Sequence, residues 1–223
     1  MVATTPLTRL IRLDLETRPF VFQAGQAALI GTHGQTERRP YSIASSPEDA
    51  VRHHRLEFLV KVDALGTIGP HLAAVAPGSK IDFEGPSGAF TLGPTPAPAY
   101  LFVAGGTGIS PLRAMLRHLI ATGTDATLSV LYSARVVEEL AFRDELERLA
   151  RRDLIQLHLA VTGQASAAWD GIRGRIAREA LQRALPSPEA VCYLCGPPAM
   201  VLDVPPLLRQ LGVPSSHVRT EEW

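Results

Sequence analysis

Apolar and polar positions alternate along the first part of the chain and gather into unbroken apolar blocks along the rest. Leu7-Thr8-Arg9-Leu10-Ile11-Arg12-Leu13 alternates, Phe20-Val21-Phe22 leads through Gly25-Gln26 into Ala27-Ala28-Leu29-Ile30, and Leu56-Glu57-Phe58-Leu59-Val60-Lys61-Val62 alternates again. A period of two predicts strands. A short helix is expected near 69–75, and Pro77-Gly78-Ser79 marks a turn before Lys80-Ile81-Asp82-Phe83. His53 and His54 fall in a charged, solvated turn. Short strands divided by turn residues predict a small antiparallel β-barrel or sandwich.

The pattern changes at Gly93-Pro94-Thr95-Pro96-Ala97-Pro98, a proline-rich connector that divides the chain into domains 1–96 and 97–223. Ala99-Tyr100-Leu101-Phe102-Val103-Ala104 is apolar throughout, as a strand buried on both faces requires. Strands at 127–133, 154–161 and 190–194 are followed by helices at 138–151, 175–185 and 198–211, and a last strand is expected at 217–220. This alternation predicts a Rossmann-like α/β domain, a parallel sheet covered by helices that binds ligands at the carboxyl ends of its strands.

Composition narrows the functional classes. Of 223 residues 46% are hydrophobic and 20% charged, with Lys plus Arg and Asp plus Glu equal at 22 each. That balance provides no net field toward nucleic acid or an anionic membrane. No apolar run approaches the roughly 20 residues of a membrane span. The first ten positions carry no basic segment followed by an apolar one, so a cytoplasmic location is expected. The two cysteines, Cys192 and Cys195, form a C-x-x-C pair that suits redox chemistry or half a zinc site, but no second ligand pair follows.

Two stretches carry chemistry. In Arg39-Pro40-Tyr41-Ser42-Ile43-Ala44-Ser45, strand alternation puts Arg39, Tyr41, Ile43 and Ser45 on one side. That strip offers a cation for phosphate, a ring for stacking and a hydroxyl, although an ordinary amphipathic strand has the same pattern. In Gly105-Gly106-Thr107-Gly108-Ile109-Ser110-Pro111 a glycine loop joins a buried strand to a helix at 112–120, with Ser110 its expected cap and Pro111 in its first turn. Small residues let a phosphate approach, and free N–H groups point at it.

These stretches resemble the R-x-Y-S-x-x-S and G-G-T-G-I-[ST]-P motifs of the ferredoxin–NAD(P)H reductase family. Cys195-Gly196-Pro197-Pro198-Ala199-Met200 resembles its C-G-P-x-x-M motif, and Gly85-Pro86-Ser87-Gly88-Ala89-Phe90 its G-P-x-G-x-F turn. Two departures stand out: Ala24 replaces the proline of P-G-Q, and Gly66-Thr67-Ile68-Gly69 carries glycine where the family has Ser or Thr. The resemblance implies an N-terminal antiparallel β-barrel that binds FAD and a C-terminal α/β domain that binds NAD(P)H. It implies that Arg39 pairs with the flavin pyrophosphate, aided by the backbone at Gly66 and Gly69, that Tyr41 lies against the isoalloxazine, that Ser42 reaches toward N5, and that Ser45 helps on the phosphate side. Gly105, Gly106, Thr107, Gly108 and Ser110 would hold the nicotinamide dinucleotide. Cys195, Gly196 and Pro197 would lie beside its nicotinamide, leaving Cys192 as a small core residue.

Ser133 and Arg135 stand where the adenosine ribose is read. Arg135 suits a 2′-phosphate, whereas Gly163 cannot supply the cation that NADP-preferring relatives often carry, so NADH or dual use is favoured slightly. Trp223 would cover the flavin face that nicotinamide must reach. The implied reaction passes hydride from NAD(P)H to FAD, then single electrons to a separate acceptor protein, ferredoxin-like or otherwise. An electron-transfer subunit of a larger oxidoreductase or monooxygenase, with little turnover of its own, is the alternative. A scaffold that has lost flavin, suggested by Gly69, is a third.

Overall fold

A computed structural model describes every residue of the chain except Ala64, Ala74, Ala165 and Trp223. Its first part consists of β1 (Val2–Thr5), β2 (Thr8–Asp14), β3 (Ala27–Thr32), β4 (Arg39–Ser42), helix α1 (Pro47–His53), β5 (Arg55–Lys61) and β6 (Ile81–Ser87). The strands form two antiparallel three-stranded sheets, in the orders β1-β2-β5 and β4-β3-β6. Alternation explains the core: Leu56, Phe58 and Val60 of β5 are fully buried beside Ile11, Ile30 and Ile43. Burying each such side chain contributes roughly 1.5–3 kcal/mol. The sheets meet just after β4, where Ile43 N–H donates to Gln26 O at 2.9 Å and Ala44 N–H to Glu57 O at 2.8 Å. The chain there passes from one sheet to the other.

Four expectations for this part are corrected. Phe20-Val21-Phe22 is not a strand. Its two rings pack on each other and Phe20 on Phe83, so the side chains are held without a backbone ladder. The strand at Arg39 stops at Ser42, and the shared face expected to run to Ser45 ends with it. His53 closes a helix and only His54, in a left-handed conformation, forms the turn. Near 69–75 the described helix is a single 3-10 turn, Pro70–Leu72.

The second part continues with β7 (Ala99–Gly105), α2 (Ile109–Ala121), β8 (Thr127–Ala134), α3 (Arg143–Arg151), β9 (Gln156–Val161), β10 (Ile172–Arg173), α4 (Arg178–Ala184), β11 (Val191–Gly196), α5 (Pro198–Gln210) and β12 (Val218–Glu222). All its pairings are parallel, in the order β10-β9-β8-β7-β11-β12. Every residue of β7 is buried, as its unbroken apolar run requires. The helix expected at 138–151 is split. A 3-10 turn, Val137–Glu139, is separated from α3 by buried Leu140 and Ala141 and by Phe142 at φ 59°. Ala141 N–H donates to the Tyr132 hydroxyl at 3.1 Å, which ties this segment to the sheet and breaks the helical ladder.

The two parts share a core and a polar clamp. Ala24, Leu59 and Phe90 belong to the same buried cluster as Tyr100, Met115 and Tyr193. From α2, Arg113 donates to Ala44 O at 2.6 Å and to Glu57 at 3.0 Å on one side, and to Glu145 of α3 at 2.8 Å on the other. Its guanidinium lies 4.3 Å from the Phe142 ring centroid. One turn on, Arg117 joins Asp49 of α1 to Glu145, and His118 meets Glu48 at 2.8 Å.

Candidate functional site

β4 is an edge strand, which is where a sheet tolerates Pro40 with no N–H to give. Its side chains face the 3-10 turn that begins after Gly69. Arg39 pairs with Glu37 at 2.8 Å, but the two side chains are 53% and 46% exposed. An ion pair so exposed is worth little, and the guanidinium can exchange it for a phosphate. The Tyr41 ring stacks on His71 with centroids 5.7 Å apart and planes at 19°, and its hydroxyl lies 2.8 Å from His71 Nε2. Burial raises the tyrosine pKa above its ordinary value despite the opposing charge of Arg39. Burial, then Arg39, lowers that of His71. His71 Nδ1 is buried with no hydrogen-bond partner among the described residues.

Ser42 is half-buried at the end of the strip. Ser45 is not part of it. Its side chain is buried, and its hydroxyl accepts the Glu57 N–H at 3.2 Å, so it fastens the corner between the sheets. Gly66 lies in a turn closed by Gly66 N–H to Asp63 O at 2.9 Å.

The second centre lies at the carboxyl ends of the parallel strands. Gly106 to Gly108 make one 3-10 turn, and α2 follows directly with Gly108 as its N-cap. Ser110 therefore sits inside the helix, not at its cap, and its hydroxyl is buried and unpartnered among the described residues. Glycine is demanded here by packing. A Cβ on Gly108 would lie 2.1 Å from Cys195 O, and one on Gly105 2.7 Å from Pro197 Cδ. The glycine loop and the Cys195-Gly196-Pro197 turn thus press against each other. Tyr132 holds the arrangement from below by donating to Gly106 O at 3.1 Å.

A cavity of about 440 Å³ opens over these turns. Gly105, Gly106, Thr107 and Pro197 form its floor; Ser133, Arg135 and Thr162 line it from the ends of β8 and β9. Arg175 and Asp203 add charge, and Leu7, Thr8 and Lys61 of the first part close the far side. A glycine-walled floor with cations at one end matches the donor set of a dinucleotide. Arg39 with a buried unpartnered imidazole N matches that of a second phosphate ligand.

Cys195 lies beneath the floor, 2% exposed, opposite Glu221 in the β11–β12 register. Burial, then the Glu221 charge, pushes its thiol well above the ordinary range, so it stays protonated and is no nucleophile. Burial raises the Glu221 carboxyl as well. Both cysteines are free thiols, and Cys192 is fully buried within its strand, as its expected core role requires. Among the described residues no cluster of His, Cys, Asp or Glu could hold a metal ion. No helix is long and apolar enough to cross a membrane, again among those residues.

Gly105, Gly106, Thr107, Ser133, Arg135 and Pro197 thus meet in one cavity, while Gly108, Ser110, Cys195 and Gly196 lie behind its wall. Arg39, Tyr41 and Gly69 gather at the first centre, and Ser45 is excluded from it. Trp223 falls outside the described residues. Sequence reasoning missed His71, Arg175, Asp203, Lys61 and Glu221. Each is a single residue with no pattern around it, and only the fold brings it to a site.

Known proteins resemble this chain along its whole length. The family model of the oxidoreductase FAD-binding domain matches residues 4–92, and that of the oxidoreductase NAD-binding domain matches 102–205. Ferredoxin–NADP reductase B of Sorangium cellulosum (strain So ce56) is 36% identical over 238 residues, covering 100% of this chain and 96% of that protein. NADH-cytochrome b5 reductase 1 of Kluyveromyces lactis is 32% identical over 77% of this chain, which spans only 62% of that longer protein. Among solved structures, the ferredoxin reductase in carbazole 1,9a-dioxygenase superposes with a TM-score of 0.81 at 27% identity, covering 99% of this chain and 66% of that one.

Proposed function

The chain belongs to the ferredoxin–NAD(P)H reductase family, and from that premise we propose how it works: it is an FAD-dependent oxidoreductase that takes hydride from NAD(P)H and delivers electrons to a separate one-electron acceptor. One observation carries the reading. Ala44, two residues beyond Ser42, accepts a 2.6 Å hydrogen bond from Arg113 of α2, the helix that starts at the glycine loop. That bond ties the chain just past the phosphate-and-ring strip to the helix that follows the glycine loop, which supports a flavin and a dinucleotide held by neighbouring parts of the fold.

Bound FAD supplies the chemistry, accepting two electrons as hydride and releasing them singly. The chain binds and orients. Arg39 would neutralise the flavin pyrophosphate, Tyr41 would lie against the ring, and Ser42 would reach toward N5. Gly105, Gly106 and Thr107 let the NAD(P)H phosphates approach the backbone, while Gly196 and Pro197 shape the nicotinamide end above Cys195. Ser133 and Arg135 would read the adenosine ribose, and Arg175, which lines the same cavity, would add a second cation. That pair offsets the missing cation at Gly163 and supports use of NADPH as well as NADH. A cytoplasmic ferredoxin-like protein is the proposed acceptor.

Purified protein should absorb near ~450 nm, as oxidised flavin does. Under argon, NADH or NADPH should bleach the band and added ferredoxin restore it. A colourless protein that takes up no FAD would sink this reading. The likeness to a dioxygenase's reductase favours a second one, a dedicated electron-transfer subunit. Co-purification with a larger partner on size exclusion, with negligible turnover alone, would replace the first.

A further inference from the structure

Gly69 departs from the Ser or Thr of the family motif, and the structure provides a reason. A Cβ at that position would lie 3.0 Å from His71 Cε1 and 3.1 Å from His71 Nδ1. A hydroxyl-bearing residue at 69 would therefore press on this imidazole, which would have to give by a few tenths of an ångström. His71 is only 1% exposed and is locked in place: its ring stacks on Tyr41, and its carbonyl accepts the Thr32 hydroxyl at 3.0 Å. The Tyr41 hydroxyl and His71 Nε2 share a hydrogen bond of 2.8 Å, and the proposal takes the tautomer in which Tyr41 donates. Burial and Arg39 lower the imidazole pKa, and with Nε2 accepting from Tyr41 a neutral ring carries its proton on Nδ1.

That leaves a buried N–H with no acceptor among the described residues. Such a group is a standing cost unless something outside the chain satisfies it. The space that Gly69 leaves open is bounded by this N–H and by Arg39, whose Nη1 lies 3.5 Å from the same point. Two donors border it, and the nearby Glu37 carboxylate is already paired with Arg39, so an occupant that presents an anionic oxygen fits. We propose that His71 Nδ1–H donates to a pyrophosphate oxygen of bound FAD, standing in for the hydroxyl that position 69 has lost. The proposal rests on the flavin reading above.

The test uses apoprotein titrated with FAD and, separately, with riboflavin, which has no phosphate. His71→Phe keeps a stacking ring and removes the N–H. It should raise the Kd for FAD about ten- to hundredfold and leave riboflavin unchanged, as loss of a charge-assisted hydrogen bond predicts. Gly69→Ser together with His71→Ala restores the family pattern and should bind FAD at least tenfold more tightly than His71→Ala alone. This comparison holds even where the phenylalanine variant folds poorly. If wild-type apoprotein takes up no FAD, the flavin reading itself is wrong. If wild type binds FAD and His71→Phe binds it equally, or the double variant gains nothing over His71→Ala, only the role of His71 is overturned.

Discussion

A Cβ on Gly108 would reach within 2.1 Å of Cys195 O, and one on Gly163 within 2.7 Å of Arg135 O. Glycines that look from the sequence like ligand contacts are thus also contacts between turns. Gly106 is different: it takes φ 54° and its carbonyl is held by Tyr132, so a substitution there acts on the loop's own shape. Gly106→Val places a β-branched residue in a left-handed conformation, a strain of about 1–3 kcal/mol. Its affinity for NAD(P)H should fall more than tenfold while that for FAD stays within twofold; equal loss of both ligands would mean that the two sites are not separate. The glycine loop was legible because its residues are consecutive and lie between a strand and a helix. Ser45 and Ser110 were not, because a hydroxyl's direction depends on where the element around it stops. Strand alternation carried Ser45 to the wrong face once β4 ended at Ser42.

Among the elements, those with a long period were read correctly: β5, β7, β8 and β11 lie within one or two residues of their expected places. Helix α1 was missed. Seven residues, of which only Ala50 is buried, show no amphipathic period. Its signal was local: Ser46 accepts the Asp49 N–H at 3.1 Å, with Pro47 in the first turn, a capping box that the sequence does spell out. The unbroken helix expected at 138–151 failed for the opposite reason, because its period continues through Leu140 and Phe142 while Tyr132 pins the backbone between them. The cap matters beyond α1, since Asp49 is also the partner of Arg117. Ser46→Ala should cost about 1 kcal/mol, lowering the midpoint of thermal unfolding by about 2–4 °C. A midpoint unchanged within 0.5 °C, read by circular dichroism, would show that the cap contributes nothing (about the resolution of such a difference).

For the molecule as a whole, acid should attack the clamp first. Burial alone would raise the Asp49 carboxyl, but hydrogen bonds and charge from Arg117 outweigh it and hold the pKa at about 2, against 3.8 when unpaired. A depressed carboxylate lends its stability above the unfolded value and loses it as pH falls toward the folded one. The urea midpoint should therefore decline between pH 3.8 and about 2, and Asp49→Asn should flatten that decline. Glu221, raised by burial, acts in the reverse sense: protonated, it stabilises, and that contribution fades as pH climbs past its folded value. The antiparallel sheets followed by a parallel sheet with helices were readable from the change of apolar pattern; the clamp was not, since Arg113, Arg117 and Glu145 gain partners only when distant elements pack. Because Ala24, Leu59 and Phe90 share one apolar cluster with Met115 and Tyr193, swinging the parts open would expose that cluster and strip Arg113 of buried partners. The apolar cluster and the clamp both oppose separation of the two parts. A nicotinamide reaching the flavin would then do so with the two parts still packed together.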